Sequence, residues 1–239
     1  VEECLPLASL LEEASSFPSK LEEMFLLQKQ LNDSTNGKNW ELGINKFNKE
    51  INWLRCIHME VAELIDSTPW KHWKNINSAP DMNNIHVELV DIWHFLMSYI
   101  LQETNVPKAV SLVNTHCIYE AAQSIDVNLI IKESEKLSYI ALAIETKNMP
   151  SFSGIERFIE QFFRACKSAG LSFSWLQKLY IGKNCLNQFR QDNGYKEGTY
   201  KKVWNGSEDN VVMVELLKTI EDVSFDELYE QLKLKYNQN

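Results

Sequence analysis

Apolar residues recur along most of this chain at the three- and four-residue spacing of amphipathic helices, and no stretch alternates convincingly like a β-strand. The periodicity predicts helices at about 20–33, 49–67, 83–103, 107–124, 127–147, 154–169, 174–192, 208–220 and 225–236. Proline punctuates the connections at positions 69, 80, 107 and 150, where a helix cannot continue. We therefore predict an all-α fold, a helical bundle.

Two predicted helix starts carry capping signals. Ser174 with Gln177 and Ser224 with Glu227 have the spacing of capping boxes, in which side chains satisfy the first free amides of a helix.

Two of the predicted helices are too apolar for the acids they carry. Segment 85–100 reads IHVELVDIWHFLMSYI, with Glu88 and Asp91 as its charged residues, and segment 51–65 reads INWLRCIHMEVAELI, with charges at Arg55, Glu60 and Glu63. A helix that is apolar on nearly all sides is buried, and a buried, unpaired carboxylate is very costly. These acids must therefore be compensated.

The spacing of the acids suggests how. Glu60 and Glu63 share one helix face, as do Glu88 and Asp91, and the 24 residues between the pairs allow the two helices to pack side by side. Four converging carboxylates need cations, and oxygen ligands favour Mg²⁺, with Mn²⁺ as a substitute. One such pair is weak evidence, since Glu227 and Glu230 repeat the spacing on what we interpret as a solvated face. Two pairs on two apolar helices favour a central carboxylate metal site.

Composition and charge limit the kinds of binding partner that the protein is expected to have. The 239 residues are 44% apolar, enough for one domain or a domain plus a lobe, and the net charge of −9 argues against a protein that coats nucleic acid. Segment 178–202 nevertheless holds six basic residues against two acids. Such a segment suits a small polyanion, and the alternative is an ordinary solvated basic surface.

The lack of a recognisable targeting signal and the pattern of cysteines predict a cytoplasmic protein. No apolar run of about 18 residues exists, so no membrane span is expected, and the acidic N-terminus argues against a secretory signal. The five cysteines lack a C-x-x-C pair, which is typical of a reducing compartment; they are Cys4, Cys56, Cys117, Cys166 and Cys185.

The acidic motifs also resemble those of a known family. EVAE at 60–63 and ELVD at 88–91 are similar to the E-x-x-E…E-x-x-D signature of the all-α nucleoside triphosphate pyrophosphatases. Within that superfamily, three segments resemble the dimeric dUTPases of bacteria, phages and trypanosomatids, and most of all the epsilonproteobacterial members. They are LQKQLND at 27–33, STPWKHWK at 67–74 and YIGKNCLNQFRQDNGYKEGTYKKVWNG at 180–206. The resemblance covers roughly 20–103 and 170–206.

The resemblance implies a homodimeric enzyme that hydrolyses dUTP to dUMP and pyrophosphate, with dUDP as a further substrate. Glu60, Glu63, Glu88 and Asp91 are then the ligands of two or three Mg²⁺ ions, which activate a water. Either Glu63 or Glu60 accepts the proton of that water, and we favour Glu63.

The resemblance also implies the nucleotide contacts. The expected base-binding residues are Gln28, Asn32, Trp70 and Asn184. The expected sugar-binding residues are His94 and Phe95. The expected phosphate-binding residues are Lys74, Lys183, Arg190, Tyr195, Lys201 and Lys202. For the basic residues the alternative is surface charge, and for the aromatic residues it is core packing.

Several interpretations stay open at this point. A sister pyrophosphatase acting on dCTP or on several deoxynucleotides fits the same motifs, because a flipped amide pairs with cytosine. A non-catalytic protein that binds nucleotide or magnesium also fits. A ferritin-type site is disfavoured because neither acidic pair contains a histidine.

The motifs also suggest how the chain is organised. We expect an N-terminal extension at 1–19, core helices at 20–103, a peripheral and mobile helical lobe at 104–169, and a phosphate-binding helix followed by C-terminal helices at 170–239.

Overall fold

The structure, a computed structural model, describes residues 7–74, 78–117, 125–221 and 223–238, without the side chains of 7–16 and 152. Parts of two predictions lie outside these residues: the start of the N-terminal extension, with Cys4, and the end of the predicted helix at 107–124.

The described residues form nine α-helices and one small hairpin, so the predicted all-α fold is confirmed. The helices are α1 (Leu7–Asn36), α2 (Trp53–Asp66), α3 (Met82–Glu103), α4 (Val106–His116), α5 (Val127–Glu145), α6 (Ser151–Ser168), α7 (Phe173–Asp192), α8 (Asp209–Thr219) and α9 (Phe225–Asn237). A 3₁₀ turn (Trp40–Leu42) follows α1. Strands β1 (Val203–Trp204) and β2 (Ser207–Glu208) pair antiparallel between α7 and α8.

The helix ends confirm one of the two predicted caps and correct two other predictions. Ser224 caps α9, and its hydroxyl accepts from the amide of Glu227 at 3.2 Å, as predicted. The predicted cap at Ser174 is wrong, because α7 is capped by Ser172, which accepts from the amide of Trp175 at 3.2 Å. Helix α1 starts at Leu7, well before the predicted start at 20, and continues through Pro18.

Helix α3 lies at the centre of the packing. It contacts α1, α2, α6 and α7, while α2 also packs on α5, and α5 on α6. Fourteen of its residues are buried, from Ile85 to Leu101. Residues from α1 to α9 belong to one continuous hydrophobic core. Because α1, α2, α3 and α7 meet there, polar side chains on their facing surfaces are brought together.

Caps fix where the two acid-bearing helices begin. Asn52 caps α2 by accepting from the amide of Arg55 at 2.8 Å. Asp81 caps α3 by accepting from the amide of Asn84 at 3.0 Å. Each cap satisfies an amide that would otherwise lack a partner at the first turn. The caps thereby set the register in which the two acidic pairs approach each other.

Helix α8 packs closely on α7 at Gly182. A Cβ at this position would lie 2.6 Å from Cδ1 of the fully buried Leu217, so any larger residue would displace that side chain. The close approach brings the last turn of α8 against the middle of α7. No helix of the described ranges is long and apolar enough to cross a membrane.

Candidate active site

Three of the four predicted metal ligands converge between α2 and α3. One carboxylate oxygen each of Glu60, Glu88 and Asp91 lies within 4.8 Å of the other two. Glu88 is buried, and the other two are half-buried. Glu63 is exposed and stands outside this cluster, although it is close enough to raise the pKa of Glu60 and Glu88.

Burial and mutual repulsion perturb this carboxylate cluster. Desolvation, followed by repulsion from Asp91, raises the pKa of both Glu60 and Glu88 well above 4.5. A hydrogen bond between Glu60 and Glu88 also favours the protonated form of Glu60. The amide of Asn84 donates to Oε1 of Glu88 at 3.0 Å. If all three carboxylates were ionised, the cluster would therefore hold more negative charge than its surroundings can stabilise.

One cation from α7 reaches the carboxylate cluster. Nζ of Lys183 lies 2.8 Å from Oδ2 of Asp91, and its side chain is 6% exposed. The same ammonium group donates to Oδ1 of Asn210 at 3.0 Å. Lys183 therefore joins the acidic site to the first turn of α8.

Arg190 lies about two helical turns after Lys183 on the same face of α7, and it is paired with a buried acid. Its Nε and Nη2 each donate to Asp209 at 2.8 Å, in a bidentate pair whose carboxylate is fully buried. The hydroxyl of Tyr200 donates to Oδ2 of Asp209, also at 2.8 Å. The Nε and Nη2 edge of Arg190, a predicted phosphate-binding residue, is thus occupied by Asp209 in this conformation, while Nη1 donates to Asn187 at 3.3 Å.

A pocket of about 270 Å³ opens beside these groups. Its walls include the predicted base- and sugar-binding residues Gln28, Asn32, His94 and Phe95. Asp91 lines the same pocket, so one carboxylate belongs to both the acidic cluster and the pocket wall. The ring of Phe95 stacks on Trp53 at 6.0 Å between centroids.

A buried hydrogen-bond network orients the pocket wall. The amide nitrogen of Gln28 donates to Oγ of Ser98 at 2.9 Å, and Asn32 donates to the same oxygen at 2.9 Å. Ser98 in turn donates to the carbonyl of His94 at 2.8 Å. Oε1 of Gln28 lies 2.7 Å from Nδ1 of His94 and accepts from the hydroxyl of Tyr180 at 3.1 Å.

This network fixes the protonation of His94. Since Oε1 of Gln28 only accepts, Nδ1 of His94 carries the proton, and Nε2 is left as an acceptor. Burial, with a smaller effect of Lys183, lowers the pKa of His94 to about 3, so the ring stays neutral. Nε2 is buried without a partner among the described residues. It offers an unused acceptor beside the pocket.

Several predicted site residues are not brought into this arrangement. Trp70 is 42% exposed and donates to Asp66, and Lys74 is exposed on the same loop. Lys201 and Lys202 are exposed near the hairpin. Tyr195 is 49% exposed, with its ring 5.8 Å from the guanidinium carbon of Arg190. Asn184 is buried and donates to the hydroxyl of Tyr180 at 3.4 Å, behind the pocket wall.

Other residues of the site were not foreseen from the sequence. Ser98 lies four residues after His94 and so shares its helix face. That spacing in the sequence could have identified Ser98 as a neighbour of the predicted sugar-binding residue. Asp209 and Asn210 lie outside the basic segment, and nothing in their local sequence identifies them. A buried arginine requires a partner, but only the packing of α8 on α7 shows which acid provides it.

An all-α fold with clustered carboxylates, buried cations and an adjoining pocket defines a site for a small anionic ligand. The family model described as dUTPase matches residues 20–195, most of the 239-residue chain. The chain therefore belongs to this dUTPase family, as its sequence motifs indicated, and family membership makes it a dUTP diphosphatase. No curated protein matches the chain.

Proposed function

We propose that this protein hydrolyses dUTP to dUMP and pyrophosphate in a Mg²⁺-dependent reaction, and that dUDP is also a substrate. The observation that carries the proposal is the position of Asp91. It belongs to the three-carboxylate cluster, it pairs with Lys183, and it lines the pocket with the predicted sugar- and base-binding residues. A nucleotide in that pocket would extend its phosphates toward the carboxylates.

The donor set supports magnesium. The three clustered groups are carboxylates, whose hard oxygens suit Mg²⁺, and Mn²⁺ accepts the same ligands. The raised pKa of Glu60 and Glu88 means that the cluster binds protons when no other cation compensates it. We propose Glu60, Glu88 and Asp91 as ligands of two or three ions, with Glu63 at the edge of the site. The bound ions would polarise phosphoryl oxygens and lower the pKa of a water.

We propose Glu63 as the group that accepts the proton from the attacking water. Glu63 is exposed beside the cluster, whereas Glu60 is desolvated and shares a hydrogen bond with Glu88. An accessible carboxylate can take a proton from a water and release it to solvent. Glu60 is the alternative base.

We propose that the cations of α7 bind the phosphates. Lys183 would contact phosphate oxygens as a point charge close to Asp91. Arg190 would contribute through its Nη1 edge, because Asp209 holds the opposite edge. Tyr195, Lys201, Lys202 and Lys74 would join by movement of their exposed segments, as lids often do.

We propose that the neutral ring of His94 selects the sugar. Its unpaired Nε2 would accept from the 3′-hydroxyl of deoxyribose, while Phe95 packs beneath the sugar and leaves no room for a ribose 2′-hydroxyl. Asn32 and Gln28, in the same wall, would read the uracil edge, with Asn184 supporting them through Tyr180. We retain Trp70 as a residue that would close over the base.

We also propose a cytoplasmic homodimer in which 104–169 forms a peripheral lobe. Four cysteines of the described residues are free thiols, which agrees with a reducing compartment. Met59, Tyr139 and Leu142 are 46–67% exposed on α2 and α5, and such apolar residues are typical of a subunit interface. Light scattering coupled to size exclusion measures the mass of the assembly. A monomeric mass at micromolar concentration would contradict the dimer.

The reaction is tested by one assay panel. We expect dUTP with Mg²⁺ to give dUMP and pyrophosphate, dUDP to give dUMP and phosphate, and no turnover with excess EDTA. Inert dUDP would contradict the second substrate, and turnover of dCTP at a comparable rate would favour the sister pyrophosphatase. Nucleotide binding without product at any metal concentration would favour a non-catalytic protein.

The choice of base is tested by matched variants. We expect Glu63→Gln to lower kcat by orders of magnitude while leaving dUTP affinity and the helical circular dichroism largely unchanged. Glu22→Gln, at an exposed position of α1, is the control and should behave as wild type. If Glu63→Gln keeps the wild-type rate while Glu60→Gln is inactive, Glu60 takes the role of base.

A further inference from the structure

Asn210, the second residue of α8, lies between two cationic side chains of α7. Nζ of Lys183 donates to Oδ1 of Asn210 at 3.0 Å. Nη2 of Arg190 donates to the same oxygen at 3.3 Å. An amide oxygen has two lone pairs, so a single atom can hold both cations. The two phosphate-binding candidates are thereby tied to one point.

The side chain that holds the cations is itself held in place. Asp209, the preceding residue, accepts from Arg190 and Tyr200, and its Oδ1 also accepts from the backbone amide of Asn210 at 2.9 Å. The backbone amide of Asp209 donates to the carbonyl of Lys202 at 2.9 Å. The first turn of α8 is therefore fixed against both α7 and the hairpin segment.

The residue type at 210 has an electrostatic reason. Asp209 already compensates the charge of Arg190, and Asp91 compensates that of Lys183. Because these two acids already balance the two cations, a carboxylate at position 210 would leave an excess of negative charge, which repels a polyanionic ligand. The neutral amide orients the two cations without adding negative charge.

Asn210 lies beyond the segment that the family similarity covers. The dUTPase match ends at residue 195, and the sequence motifs do not single out residue 210. The C-terminal segment nevertheless supplies the group that links the two cations. Without Asn210, Asp91 would still pair with Lys183 and Asp209 with Arg190, but the contact that links the two cations would be lost. Misplacement of a binding group by about 1 Å costs on the order of 100-fold in rate.

We propose that Asn210 is a positioning residue that holds Lys183 and Arg190 in the geometry in which they receive the phosphates of the nucleotide. The proposal rests on the proposed function, because it assumes that these cations bind phosphate. Asn210 acts through the cations, so its effect must depend on their presence.

The test is a double-mutant cycle on kcat/KM for dUTP. We expect Asn210→Ala to lower kcat/KM about 10- to 100-fold in the wild-type background. In a Lys183→Met background, the same substitution should have a several-fold smaller effect, because one of its two partners is gone. Equal factors in the two backgrounds would overturn the proposal.

A second variant separates positioning from helix capping. An acid in the first turn of a helix is favourable, so Asn210→Asp should retain or raise the melting temperature. A role confined to stabilising α8 predicts full activity for Asn210→Asp. The positioning role predicts a raised KM, because the new carboxylate gives this group of cations and acids a net negative charge that repels the phosphates. A stable Asn210→Asp variant with wild-type kinetics would overturn the proposal, even if Asn210→Ala fails to fold.

Asn193→Ala is the matched control. Asn193 lies at the end of α7, is half-buried, and donates to the carbonyl of Phe189 at 2.8 Å instead of contacting the cations. We expect wild-type kinetics from this variant, and a loss as large as that of Asn210→Ala would count against the proposal. An inactive wild-type protein would refute the proposed function itself, an outcome distinct from additive effects in an active enzyme.

Discussion

Two groups of buried charge meet in this site and are built in opposite ways. Between α2 and α3, Glu60, Glu88 and Asp91 crowd like charges together, and burial raises the pKa of the two glutamates. Between α7 and α8, Arg190 and Asp209 form a bidentate pair. The first group must bind protons or another cation to avoid surplus negative charge, while the second is neutral within itself.

The difference separates function from stability. A cluster of like charges costs folding energy and is retained where a ligand compensates it. A buried, fully bonded pair is costly to break, because the remaining partner is left desolvated and unpaired. Substitutions in the carboxylate cluster should therefore lower activity without lowering stability. Substitutions in the buried pair should mainly lower stability.

The largest effect is expected in the carboxylate cluster. Glu88→Gln should lower kcat/KM for dUTP on the order of 10³-fold, or about 4 kcal/mol, because a metal ligand is lost. The free energy of unfolding in EDTA should be unchanged or higher, because like-charge repulsion is relieved. Initial rates and urea denaturation measure the two quantities. Wild-type activity in this variant would contradict the assignment of the cluster.

The next effect concerns the buried pair. Asp209→Ala should lower the free energy of unfolding by about 3–5 kcal/mol, since it leaves the guanidinium of Arg190 buried without its partner. Glu215→Ala, at an exposed position of the same helix, should change it by less than about 0.5 kcal/mol. Urea denaturation of both variants checks the prediction. A loss below about 1 kcal/mol for Asp209→Ala would show that the pair contributes little.

An intermediate effect is expected from pH. The folded state binds protons at Glu60 and Glu88 more tightly than the unfolded state, whose glutamate pKa is near 4.5. The contribution of these two glutamates to the stability of the metal-free protein should therefore be greatest below pH 4.5. It should be lost as pH rises through their raised pKa values. Glu88→Gln should flatten this slope, as measured by urea denaturation in EDTA between pH 5 and 8.

Magnesium should reverse this trend. Metal binding requires deprotonated ligands, so the stabilisation by Mg²⁺ should grow as pH rises. The same measurements with saturating Mg²⁺ test the reversal. A slope that is identical with and without the metal would argue against a metal site at these carboxylates.

The smallest effect is expected at an exposed ion pair near the same site. Lys202 and Glu208 lie 3.8 Å apart, and both are more than half exposed. Lys202→Ala should change the free energy of unfolding by less than about 0.5 kcal/mol, because solvent screens such pairs. A rise in KM without any change in stability would indicate that Lys202 contacts phosphate during turnover. A loss comparable to that of Asp209→Ala would remove the distinction between buried and exposed pairs.

Periodicity was sufficient to predict the helices, and it was weakest at their ends. The predicted segments correspond to the nine helices because the apolar positions that define each helix are also those that form the core. The start of α1 was missed because a proline usually indicates a helix boundary, although α1 continues through Pro18. The capping serine of α7 was misplaced by two residues. Both Ser172 and Ser174 carry a hydroxyl suited to a helix cap, and the structure shows that Ser172 accepts from the first-turn amide.

What the sequence determined by itself was local and repetitive: helical periodicity, acids on apolar helices, and motifs long enough to identify a dUTPase. Those features depend on spacing along one chain, so they can be read without coordinates. Only the tertiary structure decided that Glu63 stands apart from the other acids, that Gln28 fixes the tautomer of His94, and that Asp209 and Asn210 hold the cations of α7. Each of these depends on how distant helices pack, and a difference of a few ångströms between side chains has no signature in residue order.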